Sequence, residues 1–368
     1  MKVEIIDPTR YLGWDELLLS TPGYSFFHSS AWARVLAESY GYTPLYFTVL
    51  EDGKLRALVP LMEVNSILTG KRGVSLPFTD YCEPIVDGGI QFQDLFKKII
   101  EFGKSSGWKY VGLRGGDKYL SPESCFLAPG SLVDNPSRLP HILHPTPCPF
   151  TIYLGHTLDL SKGEEEIFSN FRDSTRRNIK KASSHGVVVK IYNDLAAVKE
   201  FCRLNSMTRK IHGLPPQPFC FFQKVYDHII SKGAGFVALA LHSDRAVAGA
   251  IFFHFGGKAI FKYSASDPKY LNLRVNNLIM WKGISWFRQN GYEKLCFGRT
   301  ELENPGLRQY KMGWGTEEKT LPYFKFDLQK MEFTIHHNKR SALSSKIFQR
   351  IPIPALNLTG SILYRHMG

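Results

Sequence analysis

Between residues 187 and 327 short apolar runs alternate with longer stretches whose apolar positions recur every three or four residues. The runs 187–191 (VVVKI), 236–241, 247–255 and 259–264 are apolar or β-branched and predict strands. His242-Ser243-Asp244 and Gly256-Gly257 supply the turns that join the last three. Residues 195–212, 219–232 and 275–289 predict helices. The first two are separated by Gly213-Leu214-Pro215-Pro216, a sequence that no regular helix crosses. A strand at 294–297, a short helix at 305–311 and a strand at 320–327 close the series. The order is strand, helix, helix, three strands, helix, strand, short helix, strand.

The first half repeats this outline. Asp52-Gly53-Lys54 feeds the apolar run LRALVPLMEV, as Ser243-Asp244-Arg245 feeds AVAGAIFFHF. Gly107-Trp108 opens a run that ends at Arg114, and Gly291-Tyr292 opens one that ends near Arg299. Two degenerate copies of one α/β unit are the simplest account. A Pro-rich stretch at 139–150 separates them, so the expected domains are 1–150 and 151–330, followed by a basic appendage at 331–368. The fold class expected is α/β (α+β). Residues 31–40 predict a helix on which Trp32 and Tyr40 belong to the core. The patch 336–340 and the prolines of IPIPALNLTGSILYRHMG predict a packed appendage or an element that lies on a membrane surface.

With 368 residues, 43% of them hydrophobic, the chain can bury a large core, which excludes a disordered protein. Six cysteines lie scattered without a CxxC pair, which argues against a zinc site or a disulfide scaffold and for a reducing compartment. No metal ligand set is expected. No apolar run reaches the roughly 18 residues of a spanning helix, so a cytoplasmic protein is expected, including one at the inner face of the membrane. A formal net charge of +13 serves either solubility or an anionic partner: tRNA, a nucleotide- or pyrophosphate-linked sugar, or an anionic membrane surface. No protein partner is indicated.

Residues 167–185 predict one helix with Ile167, Phe171, Ile179 and Ala182 toward a core. Arg172, Arg176, Arg177, Lys180 and Lys181 lie on its other side. Like charges at i and i+4 repel, which suits either anion binding or a solvated face. Tyr263-Ser264 ends a strand, and Arg274, Asn276 and Asn277 open the next helix, where free N–H groups attract anions and where Asn also serves as a cap. Arg299 is either a phosphate or carboxylate clamp or a salt-bridge partner of Glu301 or Glu303. Lys311 closes a short helix before Gly313-Trp314-Gly315; it either stabilises developing negative charge or favours the helix C-terminus. Asp80, in Leu76-Pro77-Phe78-Thr79-Asp80-Tyr81, is either a base for an acceptor amine or a turn residue. GxSxG, Walker A, HExxH and GxGxxG motifs do not occur.

At FRDSTRRNIKKA (171–182), His185-Gly186-Val187, the block 263–277, Phe297-Gly298-Arg299 and LRQYKMGWG (307–315), the chain resembles the FemABX-like branch of the GNAT acyltransferase superfamily. It looks closest to the FemAB-related proteins found with bacterial exopolysaccharide and PEP-CTERM export systems. The resemblance implies two tandem GNAT-like domains with a substrate cleft between them. It also implies an acyl- or aminoacyltransferase of cell-envelope, peptidoglycan or exopolysaccharide biosynthesis. Lys311 and Arg299 would then face the reacting groups, and the basic helix with Arg176, Arg177 and Lys180 would face the anionic part of a donor or acceptor. From their own positions, Asp80 remains the candidate base, and Tyr263, Ser264, Arg274 and Asn276 the further candidate substrate-binding residues. The acyl donor would be aminoacyl-tRNA, acyl-CoA or another thioester, with no tightly bound cofactor. Two features depart from the pattern. No long heptad segment matches the coiled-coil arm of tRNA-using members, and SDPKYLNLRVNN (266–277) contains no glycine, unlike the pyrophosphate loop of CoA-using GNATs. A non-catalytic GNAT pair that binds an anionic glycolipid or nucleic acid is the alternative reading.

Overall fold

The computed structural model describes residues 2–120, 150–334 and 342–368. The Pro-rich linker at 139–149 and the basic patch at 336–340 lie outside them. The strands are β1 (Glu4–Ile6), β2 (Thr43–Glu51), β3 (Lys54–Ser66), β4 (Gly70–Val74), β5 (Ile85–Val86), β6 (Tyr110–Arg114) and β7 (Thr151–Asp159), then β8 (Val188–Tyr192), β9 (Gly235–His242), β10 (Arg245–Phe255), β11 (Lys258–Ser266), β12 (Lys294–Glu301), β13 (Glu317–Asp327) and β14 (Glu332–Phe333). The helices are α1 (Trp14–Leu19), α2 (Ser30–Tyr40), α3 (Phe92–Ser105), α4 (Asp117–Leu120), α5 (Glu164–Ser169), α6 (Asp173–Ser184) and α7 (Leu195–Ile211), then α8 (Phe219–Val225), α9 (Val275–Gln289), α10 (Pro305–Met312), α11 (Ala342–Arg350) and α12 (Ile353–Leu363).

Twelve of the strands form one continuous path, β1-β2-β3-β4-β6-β13-β7-β12-β11-β10-β9-β8, with β5 and β14 attached at its side. The path reads the same from either end. Three antiparallel neighbours lead to one parallel pair, β4–β6 in the first half and β11–β12 in the second. The two halves meet by exchange. β13 leaves the second half to pair with β6, whereas β7, which follows the first half in sequence, pairs with β12; β7 and β13 then pair with each other. This is the tandem repeat expected from the two turn–strand and Gly–strand–Arg matches.

Helices cover both faces. On one face, α2, α7 and α8 share a single core drawn from both halves, including Trp32, Tyr46, Phe201, Phe221 and Phe253. On the other, α3 covers the first half through Leu95, Phe96 and Ile99, and α6 and α9 cover the second through Ile179, Leu278 and Phe287. Trp32 and Tyr40 are core residues, as expected. Shared burial on one face is what holds the halves at a fixed distance, and the site below uses that distance.

Two local expectations need correction. The helix expected at 167–185 is two helices, α5 and α6, with a corner at 170–172. Phe171 fills the corner against Trp281 and Trp314, and the Arg176 guanidinium donates to the Ser169 carbonyl oxygen (2.8 Å), which satisfies the end of α5. The helix expected at 219–232 begins as α8 and widens into a π-helical turn at Tyr226–Ile230.

Candidate active site

β11 and β12 run in parallel register only from Lys258–Lys294 to Ile260–Cys296 and then part. Each strand carries a bulge just past that point. On β11 the pairing with β10 steps from Phe261 to Tyr263, so Lys262 is the extra residue and its side chain is re-aimed. On β12 the pairing with β7 steps from Cys296 to Arg299, across Phe297-Gly298. Gly298 has φ of +70°, and a Cβ there would lie 3.3 Å from the carboxylate of Asp80. The position thus needs glycine both for its backbone and for the space Asp80 takes.

Asp80 arrives from the first half, on the segment that follows β4. Leu76 and Phe78 in that segment hold positive φ values of 39° and 61°, a strain of about 1–3 kcal/mol each for side chains of this size. The segment is held from both halves. Arg114 Nη1 donates to Thr79 O (2.7 Å), Tyr323 Oη to Asp80 O (2.7 Å), and Lys262 Nζ to Phe78 O (2.7 Å). Lys262 Nζ also pairs with Asp80 Oδ2 at 2.8 Å, and the lysine side chain is almost wholly buried. Arg299 Nη1 donates to Tyr323 Oη (2.9 Å), and its guanidinium lies 4.2 Å from the ring centroid of Tyr153. Arg114 and Arg299, at matching places in the repeat, both lie 5.3 Å from the Tyr323 ring.

Lys311 comes from α10 and is 4% exposed. Its Nζ donates to Gly298 O (3.1 Å) and Arg299 O (2.9 Å), at the bulge of β12 rather than at the end of its own helix. Two of its three N–H donors are thereby occupied and one is left. Burial pushes its pKa down to about 8, against the opposing pull of Asp80. Lys262 is lowered for the same reason. For Asp80, burial alone would raise the pKa, but the charges of Lys262, Arg299 and Lys311 outweigh it and hold the carboxyl below its ordinary range. The result is an ionised carboxylate among three cations, at the opening between two parted strands.

Asp80, Arg299 and Lys311 were all legible as candidates and are brought together here. Lys262 was missed, as were Tyr323, Arg114 and Tyr153. A lone Lys between Phe261 and Tyr263 in an apolar strand was the available signal. Of the remaining candidates, Tyr263 adjoins the group, its ring centroid 5.4 Å from Lys262 Nζ, and the others are elsewhere. The Tyr263 ring packs among Phe221, Phe222 and Phe253, with its hydroxyl buried and unpartnered. Ser264 and Arg274 are exposed, and Arg274 takes a positive φ of 60° ahead of α9. Asn276 Nδ2 reaches Ser266 Oγ (3.4 Å), and its Oδ1 is buried without a partner. On α6, Arg177 and Lys180 are exposed cations, but Arg176 is tied to Asp173 one turn earlier as well as to Ser169. Of the expected anion-binding face, Arg176 is thus already engaged within its own helix and the preceding one.

Residues 169–312 match the family model described as an acetyltransferase (GNAT) domain. Among solved structures, the chain is similar to FemX, with a TM-score of 0.66 and 15% identity over 90% of this chain and 98% of that one. It is also similar to a tandem GNAT protein from the clavulanic acid biosynthesis pathway, with a TM-score of 0.52 and 9% identity over 89% and 99% of the two chains. A third is the C-terminal domain of a putative lysylphosphatidylglycerol synthetase from Agrobacterium fabrum, with a TM-score of 0.51 and 14% identity over 80% and 86%. No curated protein matches the chain by sequence. The fold is that of two tandem GNAT-like domains, and it is shared with FemX over nearly the whole of both chains.

Proposed function

We propose that this protein is a GNAT-type acyltransferase that moves an acyl or aminoacyl group to an amine or hydroxyl acceptor in bacterial envelope or exopolysaccharide biosynthesis. The observation that carries the reading is the ionised Asp80 paired with buried Lys262 where β11 and β12 part, with Lys311 alongside. Burying charges costs folding free energy, and strongly perturbed charged groups in an opening cluster at functional sites.

In the proposed reaction the acceptor nitrogen or oxygen attacks the acyl carbonyl carbon. A new N–C or O–C bond forms, and the bond to the donor's leaving group breaks. Asp80, ionised and given room by Gly298, takes the acceptor's proton. The free N–H of Lys311 stabilises the oxyanion, and the proton taken by Asp80 passes to the leaving group, which restores the carboxylate. Arg299 and Arg114 fix the Asp80 segment through Tyr323 and Thr79. The exposed Arg177 and Lys180 suit an anionic donor or acceptor, such as tRNA or a pyrophosphate-linked sugar.

The donor reading disfavours coenzyme A. The connection from β11 to α9 lacks glycine, and several of its amides are used internally: Lys269 N to Asp267 Oδ1, Tyr270 N to Asp267 O, and Arg274 N to Leu271 O. Few remain to cradle a pyrophosphate. The test is single-turnover transfer from a panel of aminoacyl esters and acyl thioesters to amine-bearing, pyrophosphate-linked sugars, read by product mass. Transfer that Asp80→Asn abolishes with donor binding retained supports the reading. Binding without transfer across the panel supports the non-catalytic alternative.

A further inference from the structure

After β14 the chain returns to the body through α11, α12 and a tight turn at Tyr364–His366. α12 is seated firmly on one side. Leu356, Gly360 and Tyr364 are buried, and a Cβ on Gly360 would fall 2.1 Å from the carbonyl oxygen of Pro216, so only glycine allows the approach. Arg209 Nη2 donates to Tyr364 Oη (2.7 Å), Tyr42 Oη donates to Tyr364 O (3.1 Å), and Arg72 Nε donates to Gly368 O (2.8 Å). Residues from both halves of the chain therefore hold this helix in place.

Its other side is unusual for a surface. Ala355, Leu358, Ile362 and Arg365 recur at helical spacing along the exposed stripe, with Leu358 63% and Ile362 55% accessible. Residues 351–364 contain no charged side chain, whereas an ordinary surface helix carries charges on its outer face. The β3–β4 turn adds to the same patch. Ser66 Oγ accepts from the amides of Leu68 (3.2 Å) and Thr69 (3.0 Å) and lies 3.0 Å from His366 Nδ1, so the turn sits against the end of the C-terminal segment. There it presents Ile67, 93% accessible, and Leu68 next to exposed Met367. The same C-terminal segment carries exposed cations: Lys346, Arg350 and Arg365. From Phe333 to Gly368 the chain has five Lys or Arg and no Asp or Glu.

We propose that this face docks the protein on an anionic lipid bilayer, with Leu358, Ile362, Met367, Ile67 and Leu68 at the headgroup–acyl boundary. Charge selects this occupant. Two copies of a chain with net charge +13 repel one another, while an apolar stripe on a segment whose only charged side chains are cationic complements anionic headgroups. Among the described residues no helix is long and apolar enough to cross a membrane, so the contact is one of lying on the surface. The inference is independent of the catalytic reading, because vesicle binding requires no turnover.

Flotation of the full chain with vesicles of phosphatidylcholine alone, or mixed with phosphatidylglycerol, tests it. The wild type is expected to float with the mixed vesicles and weakly with the neutral ones. Leu358→Ser/Ile362→Ser should lower the partition coefficient about tenfold or more while the thermal midpoint holds, since both side chains face solvent. Ile67→Ser/Leu68→Ser, on a separate element, should do the same and guards against misfolding of α12. Arg350→Glu/Arg365→Glu should weaken binding to the mixed vesicles only. Absence of wild-type flotation, or flotation unchanged by both apolar pairs, overturns the proposal. A dimer in sedimentation that these substitutions dissolve would assign the face to a second copy and also overturn it.

Discussion

Replacing Lys311 with Met separates a charged catalytic group from a structural one. Its pKa falls from 10.5 to about 8 through burial, which at about 1.36 kcal/mol for each pH unit disfavours the ammonium in the folded protein by about 3 kcal/mol. The folded value lies below the unfolded one, so between about pH 8 and 10.5 the unfolded chain holds more protons and stability rises with pH. Against this, Lys311 serves the carbonyls of Gly298 and Arg299, and Met would leave each buried oxygen unserved at about 1–3 kcal/mol. At neutral pH the two effects oppose and are of similar size. The unfolding midpoint of Lys311→Met should therefore move little. The pH dependence should change clearly: urea unfolding of the wild type should gain about 3 kcal/mol more than the variant between about pH 8 and 10.5. Transfer activity should drop roughly 10²–10³-fold, the usual cost of one oxyanion donor. Parallel pH profiles for the two proteins would refute the assignment of a buried ammonium, whatever the activity.

Lys262→Met and Asp80→Asn should each cost about 3 kcal/mol by denaturant unfolding, and the double variant distinctly less than their sum, because each partner alone is stranded; strict additivity would mean the pair is not coupled. Gly298→Ala should cost about 1–2 kcal/mol from its left-handed backbone and lower activity further by displacing Asp80, read by thermal melts beside turnover. Arg299→Lys should fail to restore activity, since a point charge neither spans Tyr323 nor stacks on Tyr153; wild-type turnover in that variant would remove Arg299 from the site. Calorimetry should detect no micromolar binding of coenzyme A, and a clear isotherm would overturn the reading of the β11–α9 connection.

Much of the architecture was open to reading because it is local. Apolar periodicity marks the strands and helices of the second half, and Gly–strand–Arg occurs twice, at Arg114 and Arg299, whose side chains do flank one tyrosine. The corner between α5 and α6 was missed because the helical period runs through it. Asn170 and Asp173 were the local signs of a break, but what stabilises the corner is Phe171 against Trp281 and Trp314, far along the chain.

Sequence alone determined the order of elements, their repeat, and three of the four charged residues gathered at the opening, because each stands out against its own neighbours. Tertiary structure alone decided that Lys262 joins them. Its partner Asp80 is 182 residues away. A bulge shifts the side chain out of the alternation that strand periodicity assumes, and no pattern of neighbours carries that information. The exchange of β7 and β13 was likewise invisible, since a strand's partner is chosen by the sheet it completes and not by its own residues.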